Sequence, residues 1–430
     1  MPDVSFPIVS RTLDNGLRVV ASPTPGLGVV AVNLRYDVGS RHEDAHRHGF
    51  AHLFEHLMFQ GSRHVAAGEH FALLQGHGGS LNATTSFDRT NYFEAIPRAA
   101  LDLALWLEAD RMAYLDDVLT QENFANQVDV VAQERSQRMD NVPYGTVFEK
   151  ALPLVFDADH PYGHLPIGDM AHLEAATLAD VSAFHARFYM PNNAVLSIVG
   201  DVTEKEAFAR ADRFFGHIAP GDAPKRDLPP ALPPLAEERR LDVEEDVPSP
   251  GAWFVGRLPA DRPDARDLAA AALAAAIIGE GETSRLHRRL VRQDKTALAA
   301  GVGLNTLVAG NSLVLGSVRA LPGRDLGEVS GVAEEVVHGF AVTGPTEHEL
   351  AIARAQAERD WLDEMATAAG RADALSGEML LFDDPLLLNE RLPLLRSLTA
   401  EEVREAAQTW LVPAFRAQVR IHPTDSGASA

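Results

Sequence analysis

Two stretches of this chain, about 220 residues apart, follow one plan, and that repetition limits the fold more than any other feature. Thr177 to Gly200 reads TLADVSAFHARFYMPNNAVLSIVG, and Ser397 to Pro423 reads SLTAEEVREAAQTWLVPAFRAQVRIHP. Each is a capped helix, an aromatic residue, a proline break and a strand. Between them, residues 217–250 place Pro220, Pro224, Pro229, Pro230, Pro233 and Pro234 among charges, the composition of a surface linker. At 430 residues the chain is also too long for one ordinary core. The expected class is α+β, with two homologous α/β-sandwich halves, each a mainly antiparallel sheet covered by helices. The first half is expected at residues 1–216, the linker at 217–250 and the second half at 251–430.

Local patterns fill in the halves. Leu17 to Ala21, Val29 to Tyr36, Ser86 to Ala95 and Ala194 to Val199 are apolar or β-branched and predict strands. Helical spacing runs over Phe50 to Phe59, Glu69 to Gln75, Ala99 to Leu115, Glu122 to Met139 and Thr177 to Phe188. After the linker, Ala252 to Val255, Ala299 to Leu304 and Ser312 to Val318 read as strands around an Ala-rich helix and further long helices.

Charge removes two partner classes. A formal net charge of -23 disfavours nucleic acid and anionic membrane surfaces, both of which are met with clustered Lys and Arg. No cysteine is present, so disulfides and thiolate metal sites are excluded. Met1 to Arg11 has no basic region leading into an apolar run, and Leu268 to Ile278 is too short to span a bilayer. A cytoplasmic protein is expected.

The chemistry sits in His52-Leu53-Phe54-Glu55-His56, the inverted zinc-helix pattern H-x-x-E-H. On a helix, His52 and His56 lie about 40° apart, so both imidazoles can reach one ion, and Glu55 falls about 60° from His52 on the same side. It can then take a proton from water without being a ligand. A rival pattern, His42-Glu43-Asp44-Ala45-His46, fits H-E-x-x-H. Its charged neighbours leave no apolar face, whereas Phe50, Leu53, Phe54, Leu57 and Phe59 would bury a helix around His52 and His56. A catalytic zinc takes three protein ligands and keeps a fourth position open. Glu134, 78 positions beyond His56 and beside an apolar stripe, is a candidate third; an exposed helical glutamate is an equally good reading of those residues alone. His64, His70, His77 and His164 fit no second metal face and are expected to be solvated, as is the basic stripe Arg285, Arg288, Arg289 and Arg292.

Several segments together resemble the pitrilysin-type peptidases, the group that includes insulysin and the mitochondrial processing peptidase. They are Gly39-Ser40-Arg41, Gly49 to Gly61, Gly78 to Ala83, Pro143-Tyr144-Gly145, His160 to Gly163, Pro191 to Ala194 and, in the second half, Gly279 to Leu286. The resemblance covers nearly the whole chain. It implies a zinc endopeptidase with His52, His56 and Glu134 as metal ligands and Glu55 as general base. Asn82 and Ala83 would lie on the strand where family members add the substrate as a further strand; a turn residue after Gly78-Gly79 is the alternative reading of Asn82.

The chain departs from that family in two places. Relatives often carry a Glu where this chain has Gln127. Active members also need an Arg and a Tyr in the second half, and the corresponding positions are Val291 and Leu298; Tyr189 is the last tyrosine. Two-subunit bacterial members divide these parts, so the resemblance implies the zinc-bearing subunit of a heterodimer that closes around a chamber, with a homologous partner supplying the Arg/Tyr pair. A maturation protease with one dedicated substrate and a non-catalytic structural homologue are the alternatives.

Overall fold

The computed structural model describes residues 4–157, 159–222, 228–258 and 265–424. The chain packs into two compact units, neither of which is continuous in sequence. One comprises Met1–Glu134, Leu165–Asp227 and Trp361–Arg391; the other comprises Arg135–His164, Leu228–Asp360 and Leu392–Ala430.

The first unit is built on a six-stranded sheet of β1 (Val9–Thr12), β2 (Arg18–Pro23), β3 (Val29–Tyr36), β4 (Ser80–Thr85), β5 (Thr90–Pro97) and β6 (Ala194–Gly200). Its order is β1-β2-β6-β3-β5-β4. Only β2 and β6 run parallel; β3 pairs antiparallel with both β6 and β5, and β4 closes one edge. The near-continuous apolar run of β3 follows from burial on both faces. Val30, Val32, Leu34 and Tyr36 join Leu53, Phe54 and Leu57 in one core. On the other face, Val20, Ala31, Val195 and Val199 pack with Ala368, Ala372 and Leu375 from the helix Ala368–Phe382. Asn33 and Arg35, which interrupt the apolar run, are absorbed by that same helix: Asn33 Nδ2 donates to Asp373 at 3.1 Å and Arg35 Nε to Ser376 Oγ at 2.9 Å.

The second unit holds β7 (Arg239–Glu245), β8 (Gly251–Arg257), β9 (Ala297–Asn305), β10 (Leu313–Ala320) and β11 (Ala417–Pro423). The order β7-β11-β8-β10-β9 repeats that of β2-β6-β3-β5-β4, again with one parallel pair, β7 with β11. One face carries a core of Ala, Leu and Val side chains from the helices Ala265–Gly279 and Leu326–Thr343; the helix Val147–Val155 lies on β8 and β11. The α+β class with two halves of one plan is therefore present in the backbone itself.

The expected boundaries differ from those units. Residues 135–164 leave the first half and cover the second sheet, while residues 361–391 do the converse. Each sheet has two apolar faces, and its own stretch of helices covers only one. The expected linker at 217–250 also contains β7. That strand is a sheet edge with four exposed residues in a row, Arg239 to Asp242, so it carries no alternating apolar pattern to reveal it. Residues 223–227 of that stretch, Pro224 included, lie outside the described residues. Among the described residues no helix is long and apolar enough to cross a membrane.

Candidate metal centre

The helix Phe50–Leu57 carries both histidines of the pentapeptide, and its burial is what aims them. Phe50, Ala51, Leu53, Phe54 and Leu57 are sunk in the core, leaving His52, Glu55 and His56 on the remaining face. Its entry is unusual. Gly49 precedes it at φ 103°, and a Cβ there would come within 3.0 Å of the Ile167 carbonyl, so glycine is required. The first-turn amides are taken up by Glu43, whose carboxylate accepts from the N–H of Gly49 and of Ala51, both at 2.8 Å.

That contact explains the rival pattern. Glu43 caps the helix that carries His52 and His56. His42 Nδ1 accepts from the Gly39 N–H at 3.0 Å, and His46 stands edge-on to His172 at 5.6 Å. Neither His42 nor His46 belongs to either of the two groupings of histidine and acid that could hold an ion among the described residues.

The first of those groupings is His52, His56 and Glu134. Glu134 stands at the end of the helix Gln121–Arg135, whose buried stripe of Phe124, Gln127, Val128 and Val131 holds it down. Glu134 Oε2 lies 3.2 Å from His56 Nε2 and 3.6 Å from His52 Nε2. Ligand atoms around a tetrahedral zinc are separated by about 3.3 Å, given bonds of about 2.0–2.1 Å. Two imidazoles and one carboxylate, partly exposed, thus match the three-ligand set that leaves a fourth position for water. Gln127 is buried on the same helix.

Glu55 shares this face. The Thr85 hydroxyl hydrogen-bonds its carboxylate, and His56, Glu134 and Arg89 are its neighbours. Burial raises its carboxyl above the ordinary value, with Glu134 adding to the rise and Thr85, His56 and Arg89 opposing it. A carboxyl moved toward neutrality in this way suits proton transfer. The Gly39-Ser40-Arg41 segment buttresses the hairpin that presents Thr85 and Arg89: Ser40 and Arg41 N–H donate to the carbonyls of Ser86 and Phe87 at 3.2 and 3.0 Å, and Arg41 pairs with Asp88 at 2.9 Å. Thr85 and Arg89 were not singled out in the sequence; their role depends on a hairpin register that local pattern does not encode.

Asn82 and Ala83 stand on β4, the edge of the sheet. Ala83 is buried and its N–H donates to Asn82 Oδ1 at 2.9 Å, while Asn82 is exposed. Val291 is packed on the second core, and Leu298 is 47% exposed on β9. One expectation is corrected. His70 is not solvated but buried at 3% exposure, in the second histidine–acid grouping with Glu94 and Glu108. The helix Glu69–Gly76 turns His70 and Leu74 inward. His64 and His77 do reach the surface, at hydrogen bonds to Asp110 and the Leu73 carbonyl, and Arg285, Arg288, Arg289 and Arg292 all pair with acids.

Comparisons with known proteins show the family of the chain. Residues 18–157 match the family described as insulinase (peptidase family M16), and residues 175–357 match the peptidase M16 inactive domain. The zinc protease PqqE of Helicobacter pylori is 35% identical over 294 residues, 68% of this chain and 65% of that protein. A zinc protease of Mycobacterium leprae is 30% identical over 81% of this chain and 76% of its own length. The crystal structure of a protease from Helicobacter pylori superposes with a TM-score of 0.90 at 28% identity, covering 97% of this chain and all of that one. A peptidase M16 inactive domain from Pseudomonas fluorescens, at 19% identity and a TM-score of 0.86, shares the fold. The chain belongs to the insulinase (M16) family of peptidases.

Proposed function

We propose that this chain is the metal-bearing subunit of a zinc-dependent endopeptidase acting on peptides or unfolded polypeptides. The observation that carries the reading is the convergence of His52, His56 and Glu134 within bonding reach of one ion, with Glu55 beside them. Both similar proteins cited above at 30% identity or more are described as zinc proteases, which supports the choice of metal.

A zinc ion held by these three residues supplies Lewis acidity that polarises a scissile carbonyl and lowers the pKa of water. The chain's own residues do the rest. Glu55 accepts the proton of the water that attacks the carbonyl and returns it to the departing amine, so the carboxylate ends as it began. Thr85 holds Glu55 toward that water. β4, with Asn82 and Ala83, offers a sheet edge on which an extended peptide can pair its backbone.

The second half does not supply an Arg/Tyr pair, since Val291 and Leu298 stand there. Our reading therefore includes a heterodimer: a homologous partner subunit brings those donors to the substrate, and cleavage takes place in the chamber the two subunits enclose. Loss of one such donor costs on the order of 10²-fold or more in rate, so the isolated chain is expected to be nearly inactive. Gel filtration and peptide cleavage of the chain alone and mixed with its candidate partner test this, with metal content measured in each. Full activity of the lone chain would remove the partner from the account. Absence of stoichiometric metal in the purified complex, after zinc has been offered, would remove the peptidase.

A further inference from the structure

The proposed reaction leaves one group of ionisable side chains in the first unit without a role. His70 on the helix Glu69–Gly76, Glu94 on β5 and Glu108 on the helix Leu101–Tyr114 each place a ligand atom within 4.8 Å of the others. All three are buried. By residue type this is a second metal site. The guanidinium of Arg111 decides against it. Its Nε donates to Glu108 Oε2 at 3.0 Å, its Nη2 to the other Glu108 oxygen, and Nη2 stands 3.8 Å from Glu94.

Two ionised carboxylates and one guanidinium leave a single buried negative charge. One proton between Glu94 and Glu108 cancels it, whereas a divalent ion would turn it into a buried positive charge, which is as costly. The geometry permits this: a carboxyl oxygen of each lies within 4.8 Å of one on the other, and both Glu94 oxygens are buried with no other hydrogen-bond partner. Ionised carboxylates only accept, so a hydrogen bond between the two requires a proton. Tyr36 on β3 and the neutral His70 are the remaining ionisable groups facing the pair.

Arg111 also reaches toward the metal helix. Its guanidinium lies 4.2 Å from the ring centre of Tyr92 and 4.9 Å from that of Phe59. The Tyr92 hydroxyl donates to the carbonyl of Phe54 at 3.3 Å, midway between His52 and His56. Phe59 lies just past Met58, the C-terminal cap of that helix. Resting on the metal reading above, we infer that Arg111 is a positioning residue of the metal centre: held by Glu108 in a sealed cluster, it clamps Tyr92 and Phe59 and so sets the rotation of the helix that presents both imidazoles. The tolerance is narrow, since a productive site needs its ligands within about 0.5 Å and 10–20°.

The test uses the full chain loaded with Co²⁺, whose visible absorption reports ligand geometry, with affinity measured by chelator competition well below each variant's melting temperature. Glu134→Gln is the control for the metal reading itself. If it binds Co²⁺ like the wild type, that reading fails independently of Arg111. With the control behaving as expected, Tyr92→Phe and the double variant Glu108→Gln/Arg111→Met are compared with the wild type. The double variant leaves no lone buried charge, so it is built to fold. Both are expected to bind Co²⁺ some 10–100-fold more weakly, the range typical of outer-shell changes, with an altered absorption spectrum. Glu94→Gln is expected to keep the wild-type affinity and spectrum, because an amide replaces a protonated carboxyl. Wild-type affinity and spectrum in both Tyr92→Phe and the double variant overturn the proposal. So does a second bound metal equivalent that disappears in Glu94→Gln.

Discussion

His52, His56 and Glu134 form one cluster of the first unit, and His70, Glu94 and Glu108 form another, from the same kinds of side chain. The first is partly open to solvent, with side-chain exposures of 12%, 21% and 16%. The second is sealed and contains Arg111. Ligand type therefore does not define a metal site. Access to an ion and the charge already present decide it: an open set of two imidazoles and one carboxylate with no guanidinium among them can take a dication, and a closed set with its own guanidinium needs only a proton.

The sharpest way to break this comparison is to exchange acids within the open cluster. Glu55→Gln is expected to retain metal and lose about 10²–10⁴-fold in turnover, measured with the partner present. Glu134→Gln should instead release the metal, with an affinity loss beyond the roughly 10–100-fold of outer-shell changes. If Glu55→Gln lost the metal and Glu134→Gln kept it, the two roles would have to be reversed.

In the closed cluster the same kind of change should act on stability. Arg111→Met alone strands Glu108 without its partner, and breaking a buried pair this way costs about 3–5 kcal/mol. Urea unfolding of metal-free protein reads this directly; a loss under 1 kcal/mol would mean that the cluster relaxes or hydrates.

The smallest expected effect is in the pH dependence. Burial, followed by the Glu108 charge, raises the Glu94 carboxyl well above its ordinary value. Its contribution to stability is thus complete below the unfolded value near 4.5 and declines as pH rises through the folded value. His70 is pushed down to about 2 by burial and by Arg111. Its contribution is present above the unfolded value of 6.5 and lost as pH falls toward 2. Melting temperatures of metal-free Glu94→Gln should therefore gain on the wild type with rising pH above 4.5. Those of His70→Gln should lose less than the wild type on acidification below 6.5. Parallel curves for all three proteins would show that neither group titrates in these ranges.

How much of this could be read in the residues depends on distance along the chain. The spacing of His52, Glu55 and His56 is a property of one helix, and the apolar residues between them state which side is buried. Glu134 needed a family resemblance, because only the packing of a second helix brings position 134 to position 56. His70 was misjudged for a related reason: its burial depends on the inward face of a short helix whose apolar pattern is weak, and its neighbours Glu94, Glu108 and Arg111 come from other elements. His42 and His46 join no histidine–acid grouping among the described residues, and the role of Glu43 as a cap on the helix of His52 and His56 appears only in three dimensions.

By itself, then, the sequence determined many of the strands and helices, their two-fold repetition and the two histidines on one helix face, since periodicity, capping and side-chain chemistry are local; it missed β1 and β7 and began the strand of Thr90–Pro97 four residues early. Tertiary structure alone decided that residues 135–164 and 361–391 cover the opposite halves' sheets, and that one histidine–acid cluster stays open while the other closes around Arg111. Both outcomes follow from burial: an apolar sheet face must be covered by whatever helix can reach it, and a buried carboxylate must find a proton or a cation.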